Sequence, residues 1–192
     1  MIDPCLKRIL VTGASGFVGR ALCARLLADG FLVRGVVREL SRRISLPQST
    51  EIVPIGSIGP DTDWTDVISG VDSVIHLAAR VHIMQDTAAV PLQEFRKVNL
   101  YGTERLARQA VQAGVKRFVF MSTIGVNGNT SGSRAFTESD DYRPHNPYSV
   151  SKLEAEIGLR EISAKTGMEV VVVRAPLVYG PGNPGNFLSL LR

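Results

Sequence analysis

Two cysteines, Cys5 and Cys23, are all that 192 residues contain, too few for a disulfide framework. No apolar run approaches the roughly 20 residues that a membrane-spanning helix needs. The N-terminal stretch Met1-Ile2-Asp3-Pro4-Cys5 has no basic segment leading into an apolar one, so no secretory leader is expected. Together these absences point to the cytoplasm. Aromatic residues amount to only 6%, and Lys and Arg nowhere form a long run, so a net charge of +4 does not call for nucleic acid. His76, His82 and His145 stand at no metal-ligand spacing, and no metal is expected; His76, beside an apolar run, reads as a core histidine. A Gly-x-Ser-x-Gly nucleophile turn and a P-loop lysine are also missing.

What is present is a core-forming composition, 44% hydrophobic and 21% charged, at a length that favours one domain. Short β-rich runs alternate with amphipathic stretches. Strands are predicted at Arg8–Val11, Leu32–Val37, Glu51–Ile55, Ser73–Leu77, Lys116–Ser122 and Glu169–Arg174. Helices are predicted at Phe17–Asp29, Trp64–Ser69, Leu92–Ala113 and Asn146–Lys165, with Gly30 and Gly114 as stops. Continuous apolar strands, among them Val170–Val173, predict an α/β fold with a parallel sheet covered on both faces. Val126–Asn146 is polar and rich in Gly, Ser and Asp, a loop long enough to suspect function. In such sheets ligands sit at the carboxyl ends of the strands.

Between the first strand and the first helix lies Thr12-Gly13-Ala14-Ser15-Gly16-Phe17-Val18-Gly19. Gly13 suits a tight turn, Gly16 lets the backbone approach a pyrophosphate, and Gly19 lets the helix pack close to the strand. The helix start then offers free N–H groups and a positive dipole end to phosphates. Gly13, Ser15, Gly16, Phe17, Val18 and Gly19 are therefore the expected cofactor-binding set. Further along, Tyr148 and Lys152 stand four apart on a predicted helix and share a face. Such a pair alone also fits a solvated helix surface. Its order in the chain adds weight, because Ser122 and Thr123 precede it at a strand's carboxyl end. A cation beside a phenol favours phenolate and so lowers the tyrosine pKa, giving a base for an alcohol proton.

The Thr-Gly-x-x-Gly-x-x-Gly turn with the Tyr148/Lys152 pair resembles the extended short-chain dehydrogenase/reductases of the NAD(P)-dependent epimerase/dehydratase branch, nearest the nucleotide-sugar 4-epimerases and related reductases. Supporting stretches are His76-Leu77-Ala78-Ala79-Arg80, Val98-Asn99-Leu100-Tyr101-Gly102-Thr103, Pro147-Tyr148-Ser149-Val150-Ser151-Lys152 and Arg174-Ala175-Pro176 through Gly182. The resemblance implies a three-layer doubly wound Rossmann-like sheet of order 3-2-1-4-5-6. It implies a catalytic set of Thr123, Tyr148 and Lys152, with Ser122 beside them, and a cofactor lined by Ala78, Ala79 and Pro176. Lys152 would also hold the nicotinamide ribose, and Tyr148 and Asn99 count among the residues expected to contact the cofactor. Asn99 matches a family asparagine, although a helix kink or a buried hydrogen bond accounts for it equally. The implied activity is epimerisation of a nucleoside-diphosphate sugar through transient C4 oxidation. A reductase or dehydrogenase using the same residues is the alternative, and a non-catalytic dinucleotide sensor is a second. A homodimer through helices 92–113 and 146–165 is also implied.

Several positions depart from the family pattern. The second strand ends Val36-Val37-Arg38, where NAD-preferring members carry an acid. Arg38, alone or with Arg42 or Arg43 of the cluster that Arg34 begins, suits a 2′-phosphate, so NADP is favoured over NAD. Ser57, Asn127 and Leu177 replace residues usual in the family. Ile124 follows Thr123 in place of the acidic residues of 4,6-dehydratases, which argues against dehydration. Residues 1–180 are expected to form the dinucleotide-binding domain, with 181–192 opening a C-terminal substrate-binding part that is cut short.

Overall fold

The computed structural model describes residues 7–40, 46–81 and 90–182. Cys5, Arg42, Arg43, His82 and everything after Gly182 lie outside the described residues. Six parallel strands, β1 (Arg8–Thr12), β2 (Leu32–Val37), β3 (Glu51–Pro54), β4 (Ser73–His76), β5 (Arg117–Thr123) and β6 (Glu169–Ala175), lie in the order β3-β2-β1-β4-β5-β6. This is the expected doubly wound order. At its centre Val11 of β1 stands beside Gly35 of β2 and Ile75 of β4. The helices are α1 (Phe17–Ala28), α2 (Thr65–Ile68), α3 (Pro91–Arg96), α4 (Thr103–Gln112) and α5 (Pro147–Thr166).

Side chains alternate across the strands and build two cores. On one face Leu10, Val36, Val74, Phe118 and Phe120 meet Trp64, Leu106 and Leu159 from the region of α2, α4 and α5. On the other, Ile9, Val11 and Val33 meet Ala14 and Cys23 under α1. The basic cluster at β2 is split by this packing. Arg34 is buried, ion-paired to Glu51 at 2.8 Å, and donates to the Val67 and Ser69 carbonyls at 2.7 and 2.9 Å. Arg38 is exposed.

Two expectations are corrected. Glu169–Arg174 is not core on both faces: Val170 and Val172 pack inward, whereas Val171 and Val173 are 43% and 40% exposed. β6 is the sheet's edge, and its α1-side face is only partly covered by the described residues. The long helix 92–113 is not uniform either. Between α3 and α4 the backbone widens into a π-helical turn, Lys97–Gly102, with Asn99 fully buried inside it. Such wide turns arise where a side chain is drawn out of the ordinary helical ladder. α5 begins where anticipated. Asn146 and Ser149 form a reciprocal capping box, Pro147 occupies the first turn, and Gly167 closes the helix at φ 75°.

Candidate active site

The turn after β1 is shaped by what it cannot contain. Gly13 holds φ +66°, and a Cβ there would stand 2.9 Å from the Ala78 backbone nitrogen. A Cβ on Gly19 would press on the Gly13 carbonyl and stand 2.6 Å from that of Ala14. The turn therefore lies directly against the chain leaving β4, which brings Ala78 to the glycines. Gly16 is exposed at the N-cap of α1, its N–H given to Gly13 O at 2.9 Å, and no acidic residue stands in the helix's first turn. The open positive end of a helix dipole is thus left to an anion. Ser15, Phe17 and Val18 surround it, half-buried. Phe17 reaches towards Gly180 in the segment following β6, the segment that also carries exposed Pro176. Ala79 is half-buried just beyond Ala78.

Behind the turn runs a buried chain of neutral hydrogen bonds. Thr103 gives its hydroxyl proton to the Asn99 carbonyl at 2.7 Å, so it must accept from His76 Nε2 at 3.0 Å. His76 Nδ1 is then bare and receives the Thr12 hydroxyl at 2.7 Å, while Thr12 Oγ1 accepts the Leu77 and Ala78 N–H groups at 3.2 Å each. This accounting assigns the Nε2–H tautomer. Burial, reinforced by the charge of Lys152, pushes the His76 pKa down to about 3. Asn99 continues the chain. Its side chain accepts from Arg80 N at 2.8 Å and donates to Arg80 O at 3.1 Å and Ser151 Oγ at 3.0 Å, and Ser151 donates to Tyr148 O at 2.7 Å. The amide of Asn99 is thus engaged in joining the β4 exit to the α5 entry.

Tyr148 and Lys152 occupy the first turns of α5, close to the carboxyl end of β5. Tyr148 is half-buried with its ring edge-on to Phe95, centroids 6.2 Å apart. Lys152 is 1% exposed, and its Nζ stands 3.9 Å from the centroid of the Phe120 ring. Burial pulls the lysine down to about 7, opposed by the Glu156 carboxylate. The tyrosine is pushed upward by burial, not lowered by the lysine as the spacing suggested. The reason is placement: among the described residues no hydrogen bond joins the two, and the ammonium rests on Phe120. Thr123 and Ser122 point to opposite faces of β5. Thr123 Oγ1 is half-buried and accepts the Gly125 N–H at 3.1 Å, leaving its proton for another acceptor. Ser122 is buried and gives its proton to Glu156.

Reasoning from the chain alone overlooked Glu156, Arg160, Arg174 and Tyr142. Glu156 follows Lys152 by one helical turn and shares its face, which was the available signal. Asn127, singled out as a departure, is buried between Arg174 Nη1 at 3.3 Å and the Asp140 carbonyl at 3.1 Å. A polar cleft of about 750 Å³ opens beside it, lined by Gly128, Thr130, Arg134, Phe136 and Arg143 among others. Among the described residues no cluster of three or more His, Cys, Asp or Glu could hold a metal, and no helix is long and apolar enough to cross a membrane.

Comparison with known proteins agrees with this fold. The model of the family described as "NAD dependent epimerase/dehydratase family" matches residues 9–191. A UDP-glucose 4-epimerase of Vibrio cholerae is 40% identical over 188 residues, 97% of this chain and 56% of that protein. A short-chain dehydrogenase/reductase superfamily protein from Agrobacterium tumefaciens, solved with bound NAD, superposes with a TM-score of 0.74 at 36% identity, covering 87% of this chain and 48% of that one. A UDP-glucuronic acid 4-epimerase from Bacillus cereus in complex with NAD gives a TM-score of 0.79 at 27% identity, covering 92% of this chain and 58% of that one. The chain spans about half the length of the curated relatives it matches.

Proposed function

The chain belongs to the NAD dependent epimerase/dehydratase family, and on that premise we propose that it carries the dinucleotide-binding and acid–base half of a nucleotide-sugar 4-epimerase. The observation that carries this reading is one juxtaposition. A glycine turn with no room for a Cβ at Gly13 or Gly19 lies at the carboxyl edge of the same sheet as Thr123, Tyr148 and Lys152. The residues fit a dinucleotide. Gly13, Ser15, Gly16, Phe17, Val18 and Gly19 would hold its pyrophosphate against the start of α1, Ala78, Ala79 and Pro176 would line it, and Lys152 would bind the nicotinamide ribose. Asn99 would act from behind, holding Arg80 and the entry of α5 in place. A bound nicotinamide dinucleotide supplies the reversible two-electron acceptor that oxidation of a sugar carbinol needs.

The chain's own residues handle the proton. Thr123 donates its free hydroxyl proton to the substrate oxygen. Tyr148 takes the proton of the sugar hydroxyl as that carbon is oxidised and returns it when the keto sugar is reduced on its other face. Lys152, charged, stabilises the phenolate in the interval and draws the tyrosine down from its burial-raised state. Net reduction would use the same groups. Conversion of a UDP-hexose to its C4 epimer with no lasting change in reduced-nicotinamide absorbance supports epimerisation, whereas stoichiometric consumption of reduced cofactor would replace it with the reductase reading. Tyr148→Phe should lower turnover by about 10²-fold or more.

Cofactor preference turns on β2. Position 37 carries Val37 and no carboxylate, and exposed Arg38, which follows directly, is free to approach a 2′-phosphate, which supports NADP. The NAD complexes of the two solved relatives argue for NAD. Calorimetric titration of both into the chain, with Arg38→Ala alongside, separates them: an arginine–phosphate pair contributes roughly 10- to 100-fold in affinity. A cytoplasmic homodimer completes the proposal, packed through helices 92–113 and 146–165, where Tyr101 and Ile157 are exposed. Sedimentation of the chain measures that state.

A further inference from the structure

Tyr148 is the second residue of α5. Deeper in a helix the preceding turn closes off one of the three staggered side-chain rotamers. Tyr148 has no preceding turn, because Pro144 and His145, four and three residues before it, lie outside α5. Among the described residues no hydrogen bond holds its hydroxyl either. Neither helix nor hydrogen bond fixes where the phenol points, so the task falls to packing. The ring it meets is that of Phe95, edge to face, with centroids 6.2 Å apart and planes inclined by 60°. Edge-to-face pairs at this separation are favoured because the positive edge of one ring meets the negative face of the other.

Phe95 is itself tightly held. It stands near the end of α3 and is buried. The Arg80 guanidinium lies over its ring at 5.4 Å, and the Arg80 backbone is gripped at both N–H and carbonyl by the Asn99 amide. The next residue, Arg96, joins α3 to α5: its Nε donates to Glu154 Oε2 at 2.8 Å, and its Nη2 donates to Oε1. The segment bearing Phe95 is thus tied to the helix that bears Tyr148.

Resting on the reading of Tyr148 as the acid–base group, we propose that Phe95 is a positioning residue that holds the Tyr148 phenol in the single rotamer proton transfer uses. Phe95 moves no proton itself. Transfer requires the two heavy atoms within hydrogen-bond reach, so a phenol that wanders between rotamers is a base for only part of the time. An aromatic pair of this kind favours the held rotamer by roughly two- to tenfold. Turnover scales with that fraction, whereas binding of substrate and dinucleotide does not.

The test reads the Tyr148 side chain by NMR in the whole chain, without cofactor or substrate. With four tyrosines, its signals are assigned by their loss in Tyr148→Phe. In the unmodified chain the α–β proton couplings should report one rotamer, with Overhauser contacts between the Tyr148 and Phe95 rings. Phe95→Leu keeps an apolar side chain but removes the ring, and the couplings should average. Phe95→Tyr keeps the ring and should keep the single rotamer. A merely structural Phe95 would lower thermal stability in Phe95→Leu and leave the couplings unaveraged. Averaged couplings in the unmodified chain or in folded Phe95→Tyr, or unaveraged couplings in folded Phe95→Leu, overturn the proposal. Should Phe95→Leu not fold, Glu154→Ala, at a half-exposed site, releases α3 from α5, and unaveraged couplings there overturn it equally. Turnover should follow the rotamer, with kcat in Phe95→Leu reduced roughly two- to tenfold at unchanged KM; a raised KM with kcat intact also overturns the proposal. Because the rotamer readout needs no turnover, its failure stays distinct from a failure of the epimerase reading, which Tyr148→Phe kinetics test.

Discussion

The half of the molecule around β1, β2 and β4 and the half around β5, β6 and α5 solve opposite problems. Apart from the buried Arg34 of β2, paired to Glu51, the first is neutral. Its glycine turn is defined by excluded volume, and behind it Thr12, His76, Thr103 and Asn99 satisfy one another without a formal charge. The second buries an ammonium, a carboxylate and most of a guanidinium within a few side chains. The difference fits the roles proposed for the two halves. Phosphates are recognised by backbone N–H groups and a helix end, for which close approach matters most. Proton transfer needs groups whose charge is felt strongly, which requires removing water from around them.

The comparison is sharpest in pH. His76 is held at about 3 in the folded state against an ordinary 6.5, so the unfolded chain binds the proton more readily between those values. Its contribution is fully present above pH 6.5 and is lost as the pH falls towards 3, a loss on the order of 5 kcal/mol. Lys152 is depressed from 10.5 to about 7, so its charged burial opposes folding below pH 7 and this cost is relieved as the pH rises to 10.5. The neutral half should therefore govern the acid side of a urea-denaturation profile and the charged half the alkaline side. His76→Gln should flatten only the first slope, and Lys152→Met only the second. Identical flattening by both would merge the two regions.

Gly19→Ala comes next in size. The added methyl meets backbone carbonyls, which cannot swing aside as a side chain would. Overpacking of this kind costs about 1–3 kcal/mol, and dinucleotide affinity should fall by about tenfold or more while the Lys152 titration midpoint stays put. Smaller again is Asn146→Ala, which removes one side of the capping box at the entry to α5. Thermal unfolding should register about 1 kcal/mol, with turnover affected through Tyr148 and binding at the glycine turn unchanged.

The two halves were unequally legible. Gly13, Gly16 and Gly19 announce themselves because a turn is local and its spacing is written in consecutive residues. Tyr148 and Lys152 are nearly as local, sharing one helix face. The contacts of Glu156 were not legible, because its partners Ser122 and Arg174 come from strands brought beside α5 only by the folded sheet. The exposure of Val171 and Val173 escaped for a related reason: an apolar strand reads alike at the centre of a sheet and at its edge. The wide turn at Lys97–Gly102 holds Asn99, which meets Arg80, a contact no helical periodicity records.

Separability of binding from proton chemistry is the central claim, and one calorimetric experiment meets it directly. Dinucleotide is titrated into the unmodified chain, Gly19→Ala and Tyr148→Phe. Tyr148→Phe should bind within about threefold of the unmodified chain, since the phenol is asked to move a proton and not to hold phosphate, whereas Gly19→Ala should lose about tenfold or more. Equal weakening in the two variants, or undiminished binding in Gly19→Ala, would contradict the account.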